Sequence, residues 1–214
     1  MSSFHRDRRL RPQQSQPSEV GHSPVVDVGT QVGTGVPRLV LVVGLPGAGK
    51  TTRAKELVAE RRALLLTPDA WMMSLFGREF ERDGWSASRD VLEGQLIKLA
   101  VEVLRLRLSV VLDFGLWSRD ERSALRWLAR SVDASAEVVY LPVDKATQLR
   151  RIQCRQQEAP DQNFLITEAQ LDTWRAQFEV PDASELAGAE PPPFPPDGFA
   201  DWPAWAAERW RTRS

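Results

Sequence analysis

The sequence predicts an α/β fold: a doubly wound parallel sheet with helices on both faces, forming a single domain with tails. Three observations carry that expectation. Short apolar runs at residues 39–43, 63–66, 110–113 and 137–141 alternate with segments of helical periodicity, the pattern of parallel β-α-β units. The first run leads into Gly44-Leu45-Pro46-Gly47-Ala48-Gly49-Lys50-Thr51, which matches G-x-x-x-x-G-K-[ST] at every fixed position and precedes a helical pattern. Asp69 and Asp113 follow the second and third runs, and ligands of open parallel sheets bind beyond the C-terminal ends of the strands.

Residues 39–43 are continuously apolar, as a strand covered on both faces must be. The helix over residues 51–62 places Ala54, Leu57 and Val58 on one face. A short buried strand at 63–66 ends at Thr67-Pro68-Asp69, where Pro68 disfavours helix at Thr67 and suits a first helical turn. That turn aims Asp69 at the strand's C-terminal end, unless the carboxylate serves only as the N-cap of the next helix. This helix, over residues 70–76, carries Trp71, Met72 and Met73, and Gly77 ends it. Residues 78–85 read as a polar loop. The helix from about Ser88 to Leu108 is apolar on more than one side and is expected to be mostly buried against the sheet. Residues 110–113, VVLD, form the second strong strand.

Ser118-Arg119-Asp120-Glu121 is a capping box that starts a helix reaching about Val132. Residues 137–141 form a strand, Asp144 caps a helix running past Arg155, and residues 156–163 are a polar loop. Thr167 to Gln170 opens another capped helix, with Leu171, Trp174 and Phe178 on it or at its end. Beyond Pro181 a proline-rich stretch is extended, and Trp202, Trp205 and Trp210 predict a short helix docked by its aromatics. The same tryptophans could instead mark a partner surface. No further strand is convincing. The expected organisation is a disordered tail over residues 1–36, a nucleotide-binding domain over 37–182, and a proline- and tryptophan-rich extension over 183–214 that packs on the domain.

Residue chemistry explains the glycine-rich loop. Gly44, Gly47 and Gly49 lack a Cβ, so the backbone can wrap its N–H groups around a phosphate. The helix opening near Gly49 adds unpaired N–H donors and the positive end of its dipole. Lys50 supplies a cation to the β and γ oxygens of a nucleotide, and the Thr51 hydroxyl is placed to ligate Mg²⁺. Leu45, Pro46, Ala48 and Thr52 complete the loop and its exit.

Composition narrows the classes. The formal charge is -1 over 214 residues, which gives no global electrostatic reason for tight nucleic-acid binding, although a local basic groove is compatible with it. The single cysteine, Cys154, has no internal disulfide partner, as in a reducing cytoplasm, and it reads as inert packing. No apolar run reaches the length needed to span a bilayer, and the arginine-rich start has no apolar segment behind it, so no signal peptide is expected. Both histidines, His5 and His22, lie in the tail. Acid–base chemistry in the folded part therefore falls to carboxylates, lysines, Tyr140 or Cys154.

A guanine-specific N-K-x-D motif is excluded, because the only asparagine is Asn163. A transporter-type L-S-G-G-Q signature is also missing. A small kinase remains, with the loop holding ATP and a nearby carboxylate preparing an acceptor hydroxyl.

GLPGAGKTT, LLLTPDAW, VVLDFGLW with SRDER after it, and LRRIQCR together resemble the zeta-toxin, chloramphenicol-phosphotransferase and polynucleotide-kinase group of P-loop kinases, whose ATP-binding domain is of AAA type. The similarity covers about residues 38–178. It implies a P-loop NTPase fold of the nucleoside-kinase-like type and ATP with Mg²⁺ as the donor. By the same resemblance Asp69 is the general base on the acceptor, Asp113 lies near the metal, and Arg151 with Arg155 clamps the transferring phosphoryl group. Arg151 and Arg155 share a helix face and could equally be a solvated basic stripe with Arg150. Polynucleotide kinases carry an arginine three residues after the base, where this chain has Met72. With Trp71 and Met73 this makes the acceptor pocket look apolar and favours a small-molecule hydroxyl over a polynucleotide 5′-hydroxyl. A regulatory ATP-binding module without transfer is the alternative from another class.

Overall fold

Strands and helices alternate in the computed structural model as the apolar runs predict. The structure describes residues 35–76, 85–158, 166–196 and 198–210. The tail up to residue 34 with His5 and His22, the helix stop at Gly77, the loop residues 78–84 and the loop residues 159–163 with Asn163 lie outside the described residues.

Strand β1 (Arg38–Val43) is followed by helix α1 (Lys50–Arg61), β2 (Leu64–Leu66), α2 (Pro68–Phe76), α3 (Trp85–Arg105) and β3 (Val110–Leu112). Helix α4 (Arg119–Arg130), β4 (Ser135–Tyr140), α5 (Lys145–Glu158), α6 (Glu168–Gln177), α7 (Ala183–Leu186) and α8 (Trp202–Arg209) complete the order. The four strands form one parallel sheet in the order β2-β3-β1-β4, in register through Leu66↔Leu112, Leu41↔Leu112 and Leu41↔Val138. The chain leaves β1 for one edge and later returns to its other side. The C-terminal end of β1 is therefore the switch point of the sheet, where such folds open a ligand crevice.

Residue alternation along β1 divides the core. Leu39, Leu41 and Val43 pack with Leu96, Ala100 and Leu104 of α3 and with Ala124 and Leu125 of α4. Val40 and Val42 pack with Ala54 and Leu57 of α1 on the other face. Both faces are covered, which is why β1 reads as a continuous apolar run. Helix α3 buries one face rather than several: Leu96, Ala100 and Leu104 are buried while Leu99 is exposed.

The local signals act as their chemistry requires. The Ser118 hydroxyl accepts the Glu121 N–H and the Glu121 carboxylate accepts the Ser118 N–H, starting α4. Thr167 and Gln170 do the same for α6, and Asp144 accepts the Thr147 N–H at the start of α5. Helix α7 was not foreseen, although it opens on a capping box of its own, Asp182 with Glu185. Trp202 and Trp210 are buried in the main core beside α4, and the Trp202 indole N–H donates to the Pro192 carbonyl at 2.8 Å. Edge-on ring contacts of 5.8 and 5.7 Å link Trp202, Trp205 and Trp210. Their role is thus internal packing. Cys154 corrects the sequence reading in the other direction: it is exposed, not packed. No helix among the described residues is long and apolar enough to cross a membrane.

Candidate active site

The glycine-rich loop turns between the end of β1 and the start of α1, against the start of α5. A Cβ at Gly44 would stand 2.8 Å from the Leu141 carbonyl oxygen, too close for any side chain. Gly47 has φ +82, and its Cβ position lies 3.3 Å from the Gln148 carbonyl oxygen, so both backbone conformation and space demand glycine. Gly49 is the N-cap of α1 and supplies no side-chain cap, so the first donors of α1 stay available to an anion. Leu45 and Ala48 are buried and close the loop through a hydrogen bond from the Ala48 N–H to the Leu45 carbonyl at 3.0 Å.

Two side chains, Gln148 and Arg151, strap the loop from outside, and a third, Arg175, braces Gln148. The Gln148 amide on α5 donates to the Pro46 carbonyl at 2.9 Å. The Arg175 guanidinium on α6 holds the Gln148 amide oxygen at 2.8 Å and the Val143 carbonyl at 3.2 Å. Arg151 donates to the Gly47 and Ala48 carbonyls at 3.1 and 3.3 Å. These bonds occupy the Pro46, Gly47 and Ala48 carbonyls.

Lys50, at the first position of α1, donates to the Leu45 carbonyl at 3.3 Å. Burial pushes its ammonium below the usual value, while the carboxylates of Asp113 and Asp69 push back. A desolvated cation of this kind is a strong anion ligand, because water does not screen it. The Thr51 hydroxyl donates to Asp113 Oδ2 at 2.6 Å. Asp113 follows β3, is buried, and has its carboxyl raised above the ordinary range by that burial, with Thr51 and Lys50 opposing the shift. A cation beside these two hard oxygens would offset the unfavourable burial, so the pair fits Mg²⁺.

Asp69 lies in the first turn of α2, not at its cap, and its side chain is 61% exposed. Arg89 of α3 pairs with its Oδ1 and also donates through Nε to Glu93 Oε1 at 2.9 Å. Asp69 acts electrostatically on both Lys50 and Asp113, and Arg89 does the same. Arg155 on α5 is exposed and also acts on Lys50. The structure therefore gathers Gly44–Thr51, Asp69, Asp113, Arg151 and Arg155 at one end of the sheet. Thr52 is exposed in the first turn of α1.

The predicted apolar acceptor wall is altered. Met72 is 0% exposed and belongs to the interior, so Trp71, which is exposed, and Met73, half-buried, are left of that trio. Beside the loop, a groove of about 420 Å³ is lined by Tyr140, Pro142, Val143, Asp144, Thr147 and Arg151. The sequence reading missed Arg89, Glu93, Gln148 and Arg175. Of these only Arg89 and Glu93 carried a local signal, an i,i+4 charge pair; the others act across the fold.

A parallel sheet with a glycine-rich G-x-x-x-x-G-K-[ST] loop at its switch point and carboxylates beyond the ends of adjacent strands defines a P-loop fold. A family model for the AAA domain matches residues 39–181, and the chain belongs to that family. No curated protein matches the sequence. Among solved structures, the chain is similar to a protein of Chloroflexus aurantiacus j-10-fl described as an inferred kinase, with TM-score 0.56 and 21% identity over 81% of this chain and 97% of that one. It is similar to a chain of the Pnkp1/Rnl/Hen1 RNA repair complex, with TM-score 0.54 and 18% identity over 66% of this chain and 44% of that one. It is also similar to Chaetomium thermophilum Kti12 in complex with ADP-AlF3, with TM-score 0.53 and 19% identity over 67% and 81%. The chain spans less than half of the RNA-repair chain it matches. At these identities the likeness concerns the fold.

Proposed function

We propose that this protein is an ATP-dependent phosphotransferase that moves the γ-phosphate of ATP to the hydroxyl of a small molecule. The observation that carries the reading is the arrangement around Lys50: a half-buried cation beside the loop, a hydroxyl–carboxylate pair at Thr51 and Asp113, and an accessible carboxylate at Asp69 in the same field. The loop amides and Lys50 hold the β- and γ-phosphates. Thr51 and Asp113 would hold Mg²⁺, which supplies charge neutralisation of the phosphates when bound. The acceptor oxygen forms a bond to the γ-phosphorus as the bond from phosphorus to the β–γ bridging oxygen breaks, and Asp69 takes the hydroxyl proton while ADP leaves. Arg155, with Arg151 at the loop, faces the charge of the transferring group. Catalysis of this kind is mostly positioning and electrostatics.

Incubation with radioactive ATP and a panel of sugars, nucleosides and antibiotics tests the reading. Asp69→Asn is expected to lower transfer about 100-fold or more while ATP binding persists. Transfer by Asp69→Asn at the wild-type rate would refute the assignment of the base.

A polynucleotide 5′-hydroxyl kinase is the second reading, and Arg89 favours it. The missing arginine at position 72 counted against that activity, but Arg89 brings a guanidinium to the same carboxylate from α3. Two carboxylates already engage this guanidinium, which keeps the small-molecule reading ahead. End-labelling of an oligonucleotide separates the two.

A further inference from the structure

Helix α8 is remote in sequence from the glycine-rich loop, yet its last residue grips two elements that frame the acceptor side. Arg209 Nη1 donates to Asp90 Oδ1 of α3 at 3.0 Å, and Arg209 Nε donates to Glu121 Oε1 of α4 at 2.8 Å. Glu121 is already fixed, because its other oxygen accepts the Ser118 N–H at 3.1 Å. Helix α8 is fixed as well, through buried Trp202 and Trp210. Arg209 therefore ties Asp90 of α3 to α4 and α8.

The residue it ties down is the neighbour of Arg89. On the same stretch of α3, Arg89 pairs with Asp69 Oδ1 and with Glu93. Asp69 is mostly exposed and stands in the first turn of a short helix, so packing alone does not select its rotamer. A partner on a separate, anchored helix does. The pair engages Asp69 Oδ1.

We propose that α8 positions the acceptor base: Arg209 fixes α3 through Asp90, and Arg89 on α3 holds the Asp69 carboxylate in its working orientation. The proposal rests on Asp69 being the base. Arg89 and Arg209 are positioning residues; the donor half of the site is built on β1, α1 and α5, and Arg89 reaches it only through the charge it adds at Lys50 and Asp113.

The test is a double-mutant cycle with Arg89→Gln and Arg209→Gln, read by phosphate transfer, ATP dissociation constant and amide hydrogen exchange. Arg209→Gln is expected to lower kcat about 3–10-fold with ATP affinity within about 2-fold of wild type, and Arg89→Gln is expected to lower kcat about 30-fold. In the Arg89→Gln background, Arg209→Gln is expected to add less than about 2-fold, because both act through one contact. Arg209→Gln is also expected to speed exchange in residues 68–76 about 5-fold while residues 50–61 keep their protection. Arg89→Lys is expected to recover part of the transfer by restoring one charged contact. Asp90→Ala removes the α3 side of the link, leaves Arg209 on Glu121, and is expected to reproduce the Arg209→Gln result in a folded protein.

Losses that multiply in the double variant, or unchanged exchange at 68–76 in both Arg209→Gln and Asp90→Ala, overturn the proposal. If no acceptor is phosphorylated by the wild type, the kinase reading fails on its own. The exchange at 68–76 then still decides whether α8 controls the segment that carries Asp69.

Discussion

Replacing Arg122 by methionine is expected to destabilise the protein by about 3–5 kcal/mol, because it leaves a carboxylate buried without its counter-charge. Arg122 and Glu185 have side chains 0% and 1% exposed and are joined at 2.8 Å, Nε to Oε1. A second bond, Nη2 to Oε2, measures 3.0 Å, so the pair is bidentate. The same guanidinium donates to the Leu116 and Trp117 carbonyls at 3.2 and 3.3 Å, in the loop that follows Asp113. After the substitution Glu185 keeps only its own cap contact to the Asp182 N–H at 3.2 Å. For a chain of this length, each kcal/mol lowers the melting temperature by about 2–4 °C, so a fall of about 6–20 °C is expected. Urea unfolding should move the midpoint without changing the slope. Arg122→Met combined with Glu185→Leu removes both charges and is expected to recover most of the loss, since a buried pair is often no better than apolar residues of similar volume. A single-variant loss below about 1 kcal/mol, or a double variant as unstable as the sum of the singles, would refute the argument that an unpaired buried charge is the cause.

Two further outcomes follow from the site. Gly44→Ala is expected to weaken ATP binding at least about tenfold, measured by calorimetric titration, because the new Cβ meets the Leu141 carbonyl at 2.8 Å and the loop must shift. Glu93 has its carboxyl raised by burial, above the ordinary 4.5, with Arg89 opposing. A raised carboxyl in the folded state gives stability that is complete below the unfolded value and is lost as pH rises through the folded value. Denaturant unfolding of the wild type should therefore lose stability, relative to Glu93→Gln, as pH climbs from about 4.5. Parallel pH curves for the two proteins would contradict this.

Much of the fold was legible because its signals are local. The apolar run of β1, the capping boxes at Ser118 and Thr167 and the Asp144 cap each act over a few residues, and each stands where the sequence placed it. The breadth of α3 burial was misread, because an apolar residue such as Leu99 has no local mark that says whether a neighbour will cover it. Met72 and Cys154 exchanged their expected environments for the same reason: one is interior and the other exposed. Helix α7 has no apolar periodicity, and its place depends on Glu185 meeting Arg122, 63 residues away.

The sequence alone determined the parallel α/β class and the glycine-rich loop, since strand alternation and Gly44–Thr51 are set by backbone stereochemistry within short spans. It also named the carboxylates that end the second and third strands. Only the tertiary structure decided what surrounds them. The pairing of Thr51 with Asp113, the strapping of the loop by Gln148 and Arg151, the bracing of Gln148 by Arg175, and the hold of Arg89 on Asp69 join residues far apart in the chain. Long, flexible side chains such as arginine reach partners that no local pattern specifies, so their choice is fixed by which helices the core brings together.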